Sequence, residues 1–276
     1  MRGIIVKKNA DQFVVRFGEK SFVCSARGVL KSEGVFAGDK VIFDKKSLVI
    51  SQVLPRKNKL IRPPICNLDT MIIVIAPKPA PDLYLVDKLI LFCFVKGIKP
   101  ILCLNKIDQD SKFSNRIKEI YKDVVKIITT SAVNSEISEL SSCIKGVCAF
   151  AGQSAVGKSS LINALFEEKK EEVGDFAKKV ERGKQTTRIV TLYKYKKQGY
   201  IADTAGFSKL DESLIDLKPN EIARYYKDML PYIQDCQFRS CLHKNSKNCG
   251  IIKAVEKGLI SKERYNNYIK FLETKV

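Results

Sequence analysis

Residues 147–166 read VCAFAGQSAVGKSSLINALF and carry the strongest indication of the fold in this sequence. They join an apolar run, residues 147–151, to a glycine-containing loop and then to a segment with helical spacing from residue 160. A strand, a Gly-x4-Gly-Lys-Ser loop and a helix in this order predict a P-loop. The glycines let backbone amides surround phosphate groups, and the helix N-terminus adds partial positive charge. The stretch therefore predicts a nucleoside triphosphate site in an α/β domain.

Two side chains of this motif have specific expected tasks. Lys158 is expected to reach the β and γ phosphate oxygens, and the Ser159 hydroxyl is expected to ligate Mg²⁺. The residues predicted to bind the nucleotide here are Gly152, Gln153, Ser154, Ala155, Val156, Gly157, Lys158, Ser159 and Ser160.

A second motif, Asn105-Lys106-Ile107-Asp108, follows the apolar run at 101–104. The Asp108 carboxylate can accept from the ring N1 and exocyclic N2 donors of guanine, a pair that adenine lacks. Asn105 is expected to connect this loop to the P-loop, and the stem of Lys106 to cover the base. The tetrapeptide alone fits a surface turn equally well. Ser131 and Ala132 end the next predicted strand, where a backbone amide can donate to guanine O6, so the three motifs together indicate GTP and argue against an ATP-dependent enzyme.

The third phosphate-facing motif, Asp203-Thr204-Ala205-Gly206, closes the predicted strand at 200–202. Asp203 is expected to hold Mg²⁺ through water, and the Gly206 amide to sense the γ-phosphate. Residues 183–188 form a polar segment that could act as a mobile switch. One of its two threonines is expected to complete the Mg²⁺ shell; the choice between them is open, with Thr187 taken as the ligand.

A cysteine cluster near the C-terminus has the spacing of a metal site. Cys236, Cys241, His243 and Cys249 include the only histidine of the chain. Three thiolates and one imidazole form a closed tetrahedral set, which is typical of structural zinc. Free thiols in a polar loop, or a catalytic Cys/His pair, are weaker interpretations. The other six cysteines lie in apolar runs and are expected in the core.

The pattern of the whole chain predicts three domains. Residues 1–64 have short alternating strands, with Val14, Phe17, Phe22, Val23, Val41, Ile42, Phe43, Val49 and Ile50 as the expected core. They fit a small all-β oligonucleotide-binding (OB-fold) barrel or an SH3-like one. Residues 65–218 alternate buried strands with helices and form the predicted P-loop domain. Residues 219–276, helical around 221–230 and 262–272, form a small helical zinc-binding domain. Because the base-reading motifs precede the P-loop, the α/β domain is predicted to be circularly permuted.

Charge and hydropathy restrict the partners and the location. The net charge is +19, and residues 1–62 hold 14 basic but only 5 acidic side chains. A charged surface can serve solubility alone, but the size of the excess favours a polyanion, above all nucleic acid. The N-terminus lacks the apolar stretch of a signal peptide, and no window resembles a membrane span. We expect a monomer in a reducing cytoplasm, with no membrane partner.

These motifs together resemble the ribosome small-subunit-dependent GTPase A family, circularly permuted GTPases that act late in assembly of the bacterial small ribosomal subunit. The resemblance covers essentially the whole chain. It implies that the barrel is an OB-fold that docks on ribosomal RNA, that GTP hydrolysis is slow until the small subunit stimulates it, and that other assembly factors are possible partners. It implies one structural Zn²⁺, and Mg²⁺ that arrives with GTP.

The sequence departs from the family pattern at the expected catalytic positions. Gln185 stands where the family usually has a histidine; glutamine can orient water but is no useful base. Phe207 follows Gly206, where Ras-like enzymes have the glutamine that orients water. The isolated protein is therefore expected to hydrolyse GTP slowly and to rely on Gln185, on the ribosome or on both. The predicted catalytic residues are Lys158, Gln185 and Gly206. The alternative function is an RNA or ribosome interaction protein that binds a nucleotide and hydrolyses it negligibly.

Overall fold

The computed structural model describes residues 1–28, 30, 34–131, 137–167, 190–197, 199–203, 207 and 209–275. Its strands are β1 Arg2–Asn9, β2 Gln12–Phe17, β3 Lys20–Ala26, β4 Lys40–Asp44, β5 Val49–Val53, β6 Lys59–Leu60, β7 Ile65–Cys66, β8 Leu68–Ile75, β9 Lys99–Leu104, β10 Lys126–Thr129, β11 Gly146–Ala151, β12 Thr191–Tyr195 and β13 Gly199–Asp203. Its α-helices are α1 Leu83–Val95, α2 Ser111–Tyr121, α3 Ser138–Cys143, α4 Lys158–Glu167, α5 Gly250–Glu256 and α6 Lys262–Glu273. Short 3₁₀ helices cover Ile107–Gln109, Glu212–Leu214, Pro219–Tyr225 and Leu230–Asp235.

A parallel sheet forms the centre of the molecule in the order β10-β9-β8-β11-β13, and β12 lies antiparallel beside β13. The strand β8 is buried along nearly its whole length, as expected of a strand covered on both faces. Because the five parallel strands point the same way, their C-terminal ends meet at one edge of the sheet. The chain therefore leaves β8, β9, β10, β11 and β13 at this one edge, in agreement with the predicted α/β domain.

The N-terminal strands β1 to β5 close on themselves, because β1 pairs with both β2 and β4 and β3 pairs with β5. This five-stranded barrel has its own apolar core, made of Ile5, Phe13, Val15, Cys24, Ala26, Val35, Val41, Phe43 and Ile50. The barrel also joins the central sheet, because Lys7 of β1 pairs with Thr191 of β12.

Five residues of the predicted barrel core do not belong to it. Val14, Ile42 and Val49 are half-buried outside this cluster, and Val14 packs against the core of the central sheet instead. Phe17 is 43% exposed and Val23 is 52% exposed. Cys24 and Ala26 point inward, so the two-residue period of β3 turns Val23 outward. Phe17 is the last residue of β2 and only packs its edge against Phe43, with 6.5 Å between ring centroids.

The C-terminal segment packs on α1 and shares a continuous apolar core with the central sheet. Met71 and Leu89 belong to this cluster together with Tyr226, Tyr268 and Phe271. The predicted helix at 221–230 is instead the 3₁₀ helix Pro219–Tyr225, which ends at an extended Tyr226. A second 3₁₀ helix starts at Leu230, directly before Pro231. The predicted helix at 262–272 is confirmed by α6. Within the described ranges, no helix has the length and hydropathy that a bilayer-spanning segment requires.

Candidate nucleotide and metal sites

The predicted P-loop connects β11 to α4 at the C-terminal edge of the parallel sheet. Gly152 has a φ of +122°, and a Cβ there would lie 2.2 Å from the carbonyl oxygen of Val74. Gly157 has a φ of +96°, and a Cβ there would lie 2.3 Å from Asn105 Nδ2. Both glycines are thus required by the close approach of neighbouring loops as well as by their backbone conformation.

Lys158 is the first residue of α4, and its side chain folds back over the loop. Its Nζ donates to the carbonyl oxygen of Gly152 at 2.8 Å and to that of Gln153 at 2.5 Å. Burial lowers the pKa of this ammonium from its usual value. The charge is therefore held at the loop backbone, where a bound phosphate would be its natural partner.

The base-reading loop is attached to the phosphate loop through Asn105, which is 1% exposed. Asn105 Nδ2 donates to the carbonyl oxygen of Val156 at 2.9 Å, and its Oδ1 accepts from the Thr130 hydroxyl at 3.1 Å. Lys106 Nζ also donates to the Ala155 carbonyl at 2.9 Å. Three strand ends, those of β9, β10 and β11, are thereby fixed relative to one another.

Asp108 is exposed in the 3₁₀ helix Ile107–Gln109, which follows β9 at the C-terminal edge of the sheet. Its Oδ1 accepts from the Ser131 hydroxyl at 2.6 Å, which orients the carboxylate. Ile107 lies in the same 3₁₀ turn, and Ser131 lies two residues after the end of β10. The two oxygens of the Asp108 carboxylate have the chemistry to accept hydrogen bonds from the N–H donors of a guanine.

A further loop at this edge was not predicted to take part. Gln153 Oε1 accepts from the backbone N–H of Asp82 at 2.8 Å, and its Nε2 donates to the Ala80 carbonyl at 3.3 Å. Lys106 Nζ also donates to the carbonyl of Lys78 at 3.2 Å. Residues 76–82 follow β8 in the same way that the predicted motifs follow their strands, and this position was the signal that could have identified them.

The phosphate side of the site receives residues from β13. Asp203 is exposed at the end of this strand, which lies beside β11. The backbone N–H of Gly152 donates to the carbonyl of Phe207 at 3.1 Å, and the Phe207 side chain is buried in the apolar core. Phe207 thus has neither the chemistry nor the exposure to orient a water molecule. Ser159 and Ser160 lie exposed in the first turn of α4. Ala132, Gln185, Thr187 and Gly206 lie outside the described residues.

The four predicted metal ligands come together after the 3₁₀ helix Leu230–Asp235. Their ligand atoms all lie within 4.8 Å of one another. His243 Nδ1 is 3.4 Å from the sulfurs of Cys236 and Cys249, which are 3.8 Å apart. Two sulfurs bound at about 2.3 Å to one tetrahedral ion would be separated by roughly 3.8 Å. The donor set and its spacing thus fit one zinc ion.

Two tyrosines of α6 hold the loop that carries the predicted metal ligands against this helix. Tyr265 donates to the His243 carbonyl and Tyr268 to the Leu242 carbonyl, both at 2.8 Å. Burial lowers the pKa of His243, which favours the neutral imidazole that a metal requires. The cluster is consequently packed against α6 of the C-terminal segment.

Comparisons with a family model and with curated proteins indicate the same family for this chain. A family model described as RsgA GTPase matches residues 53–213. The small ribosomal subunit biogenesis GTPase RsgA of Ruminiclostridium cellulolyticum is 38% identical over 97% of this chain and 92% of its own length. The protein of the same name from Caldanaerobacter subterraneus subsp. tengcongensis is 36% identical over 99% of this chain and 95% of its own length.

Solved structures agree with the fold. YjeQ from Thermotoga maritima superposes with a TM-score of 0.83 at 30% identity, covering 99% of this chain and 98% of its own. YloQ, described as a circularly permuted GTPase, gives a TM-score of 0.80 at 26% identity, covering 99% and 94%. The predicted permuted order of the nucleotide motifs is therefore confirmed.

Proposed function

Because this chain belongs to the RsgA GTPase family, an enzyme family that hydrolyses GTP, we propose that it acts in maturation of the small ribosomal subunit. The curated relatives that match nearly its full length are named small ribosomal subunit biogenesis GTPases. The structural observation that carries the proposal is the Asn105 junction, which fixes a guanine-reading loop directly against a P-loop. That junction supports an enzyme that distinguishes GTP from ATP while it holds the phosphates.

We propose that each predicted site residue keeps its task in hydrolysis. Lys158 would exchange its loop carbonyl partners for the β and γ phosphate oxygens, and its charge would offset the charge that accumulates on the β–γ bridge oxygen as the bond to the γ-phosphorus breaks. Asp108 and Ser131 would bind the base, with Asn105, Lys106, Ile107 and Ala132 completing the pocket. Gly152 to Ser160 would surround the phosphates.

Water activation is assigned to the protein's own polar groups. Phe207 is buried, so we propose that Gln185 orients the attacking water and that the Gly206 amide contacts the γ-phosphate. Mg²⁺ bound with GTP would neutralise phosphate charge, and Ser159, Thr187 and Asp203 are the residues proposed to hold it. One Zn²⁺ in the Cys236 cluster would have a structural task, because four protein ligands leave no position for a substrate.

The proposed partner is the ribosomal RNA of the small subunit. The net charge of +19 and the basic N-terminal barrel support binding to a polyanion. We propose that residues 1–64 form an OB-fold RNA-binding domain, 65–218 the GTPase domain and 219–276 the zinc domain. The separate barrel core supports the first boundary. We also propose that the protein is a monomer and that other assembly factors are among its partners.

A Lys158→Ala variant tests whether hydrolysis and RNA association are separate activities. We expect it to lose GTP turnover by at least 100-fold while its RNA affinity stays within twofold of the unchanged protein. Lys112→Ala, an exposed lysine on α2, is the matched control and should change neither. If the unchanged protein shows no turnover above the Lys158→Ala variant with or without small subunits, the competing function as an RNA interaction protein is the correct one.

A further inference from the structure

A second polar cavity opens at the edge of the sheet opposite to the nucleotide site. Its volume is about 540 Å³. Lys99 starts β9, Lys126 starts β10 and Gly146 starts β11, and all three line the cavity. At about 3.3 Å per residue, strands of this length place it roughly 20 Å from the P-loop edge. The cavity is therefore separate from the site described above.

The cavity has an excess of positive charge. Lys99, Lys126 and Lys145 line it, whereas Asp69 is the only acidic residue among the described residues that line it. The Asp69 carboxylate already accepts from Lys57 Nζ at 2.5 Å and from the backbone N–H of Val147 at 2.9 Å. Its charge is therefore matched by a lysine outside the cavity.

The three lining lysines are not equally paired. Lys126 Nζ lies 3.0 Å from a carboxylate oxygen of Glu139. Among the residues that the structure describes, Lys99 and Lys145 form no ion pair within 4.0 Å. Within the described residues, two of the three lining lysines thus have no carboxylate partner. Ser142 also lines the cavity, and its hydroxyl donates to the Glu139 carbonyl at 2.7 Å.

We infer that this cavity binds the phosphate group of a second ligand. Its volume lies within the range of about 300 to 1,000 Å³ that is typical of small-ligand sites. Ammonium groups with no protein counter-ion are suited to a phosphate, which carries more than one negative charge and several acceptor oxygens. The phosphate could belong to a free phosphorylated compound or to an RNA backbone, and this inference does not rest on the proposed function.

Titration of the intact protein with inorganic pyrophosphate in excess Mg²⁺ tests the inference. The GTP site is first saturated with a GTP analogue that has a non-hydrolysable β–γ bridge, so that only a second site can respond. We expect the double variant Lys99→Gln/Lys145→Gln to bind pyrophosphate at least tenfold more weakly than the unchanged protein. The matched control, Lys112→Gln/Lys118→Gln, removes two exposed lysines of α2 and should leave the affinity unchanged.

A parallel titration uses an RNA oligonucleotide without terminal phosphates. If only the RNA affinity falls in the double variant, the cavity binds a backbone phosphate; if the pyrophosphate affinity falls, it binds a free phosphorylated ligand. The inference is overturned if neither affinity falls below that of the control variant. Affinity for the GTP analogue, which should be equal in all three proteins, confirms that the variants are folded.

Discussion

At the scale of single residues, specificity for guanine depends on one carboxylate that the fold holds in place. Ser131 donates to Asp108 at 2.6 Å, and Asn105 anchors the same loop to the P-loop at 2.9 Å. A loop fixed at both ends loses little conformational freedom when the base binds. The choice of nucleotide therefore depends on what the Asp108 side chain can accept or donate.

Asp108→Asn should change this choice of nucleotide. The amide keeps an oxygen that can accept from Ser131, but its NH₂ group opposes the N–H donors of guanine. We expect GTP affinity to fall by at least tenfold, about 1.4 kcal/mol. Xanthosine triphosphate, which presents a carbonyl at the C2 position, should gain affinity. Competition binding measures both values, and an unchanged GTP affinity would show that Asp108 does not read the base.

At the scale of elements, sequence patterns identified most of the strands and all of the strand ends that carry motifs. Each motif is local: the chain order of strand, loop and helix is enough to identify Gly152 to Ser160. The predictions were wrong where contacts with other residues, rather than the local pattern, determine whether a side chain is buried or a segment is α-helical. Val23 is apolar but faces outward because Cys24 and Ala26 fill the inner face of β3. At 221–230, Ile222, Tyr226 and Met229 are buried at helical spacing, yet the chain forms two 3₁₀ helices, Pro219–Tyr225 and Leu230–Asp235, separated by residues 226–229.

Contacts between distant segments could not be predicted from the sequence. Gln153 bonds to Asp82 and Ala80, about seventy positions earlier in the chain, and no local pattern records that approach. The cluster of Cys236, Cys241, His243 and Cys249 is the opposite case, because its four residues lie within fourteen positions and their chemistry alone predicted their convergence. Local chemistry is thus visible in the sequence, whereas tertiary contacts require the fold.

Removal of the metal should loosen the C-terminal segment. Four ligands that converge on one ion contribute directly to folding when the ion is bound. We expect one zinc per chain by elemental analysis, and we expect Cys249→Ser to lose that zinc and to unfold at a lower urea concentration. Cys143→Ser is the matched control, because Cys143 is half-buried and far in sequence from the cluster. Equal zinc content in the two variants would refute the metal assignment.

At the scale of the whole molecule, a buried ionic cluster joins the C-terminal segment to helix α1, which packs on the central sheet. Arg264 of α6 is 1% exposed. Its guanidinium donates to both oxygens of Asp228, at 2.7 and 2.8 Å, and to Asp87 of α1. Asn267 donates to the other oxygen of Asp87 at 2.6 Å. Since Asp82 caps α1 and is bonded to Gln153, helix α1 connects the P-loop to the C-terminal segment that carries the Cys/His cluster.

Arg264→Met should be strongly destabilising, because it leaves two buried carboxylates without their counter-ion. The expected loss in the free energy of unfolding is about 3–5 kcal/mol. Arg116→Met is the matched control: it breaks the ion pair between α2 and Glu263 of α6, whose side chains are 63% and 45% exposed, and should cost about 0–1 kcal/mol. Urea unfolding compares the two variants, and similar midpoints would contradict a structural role for the cluster.

The central claim is that this molecule is a GTPase whose activity responds to the small ribosomal subunit. The most direct test measures GTP and ATP turnover by the purified protein, alone and with purified small subunits, large subunits or bulk RNA. We expect slow GTP hydrolysis by the isolated protein, stimulation at least tenfold by small subunits only, and negligible ATP turnover. Equal turnover with all additions, or equal use of ATP, would contradict the claim.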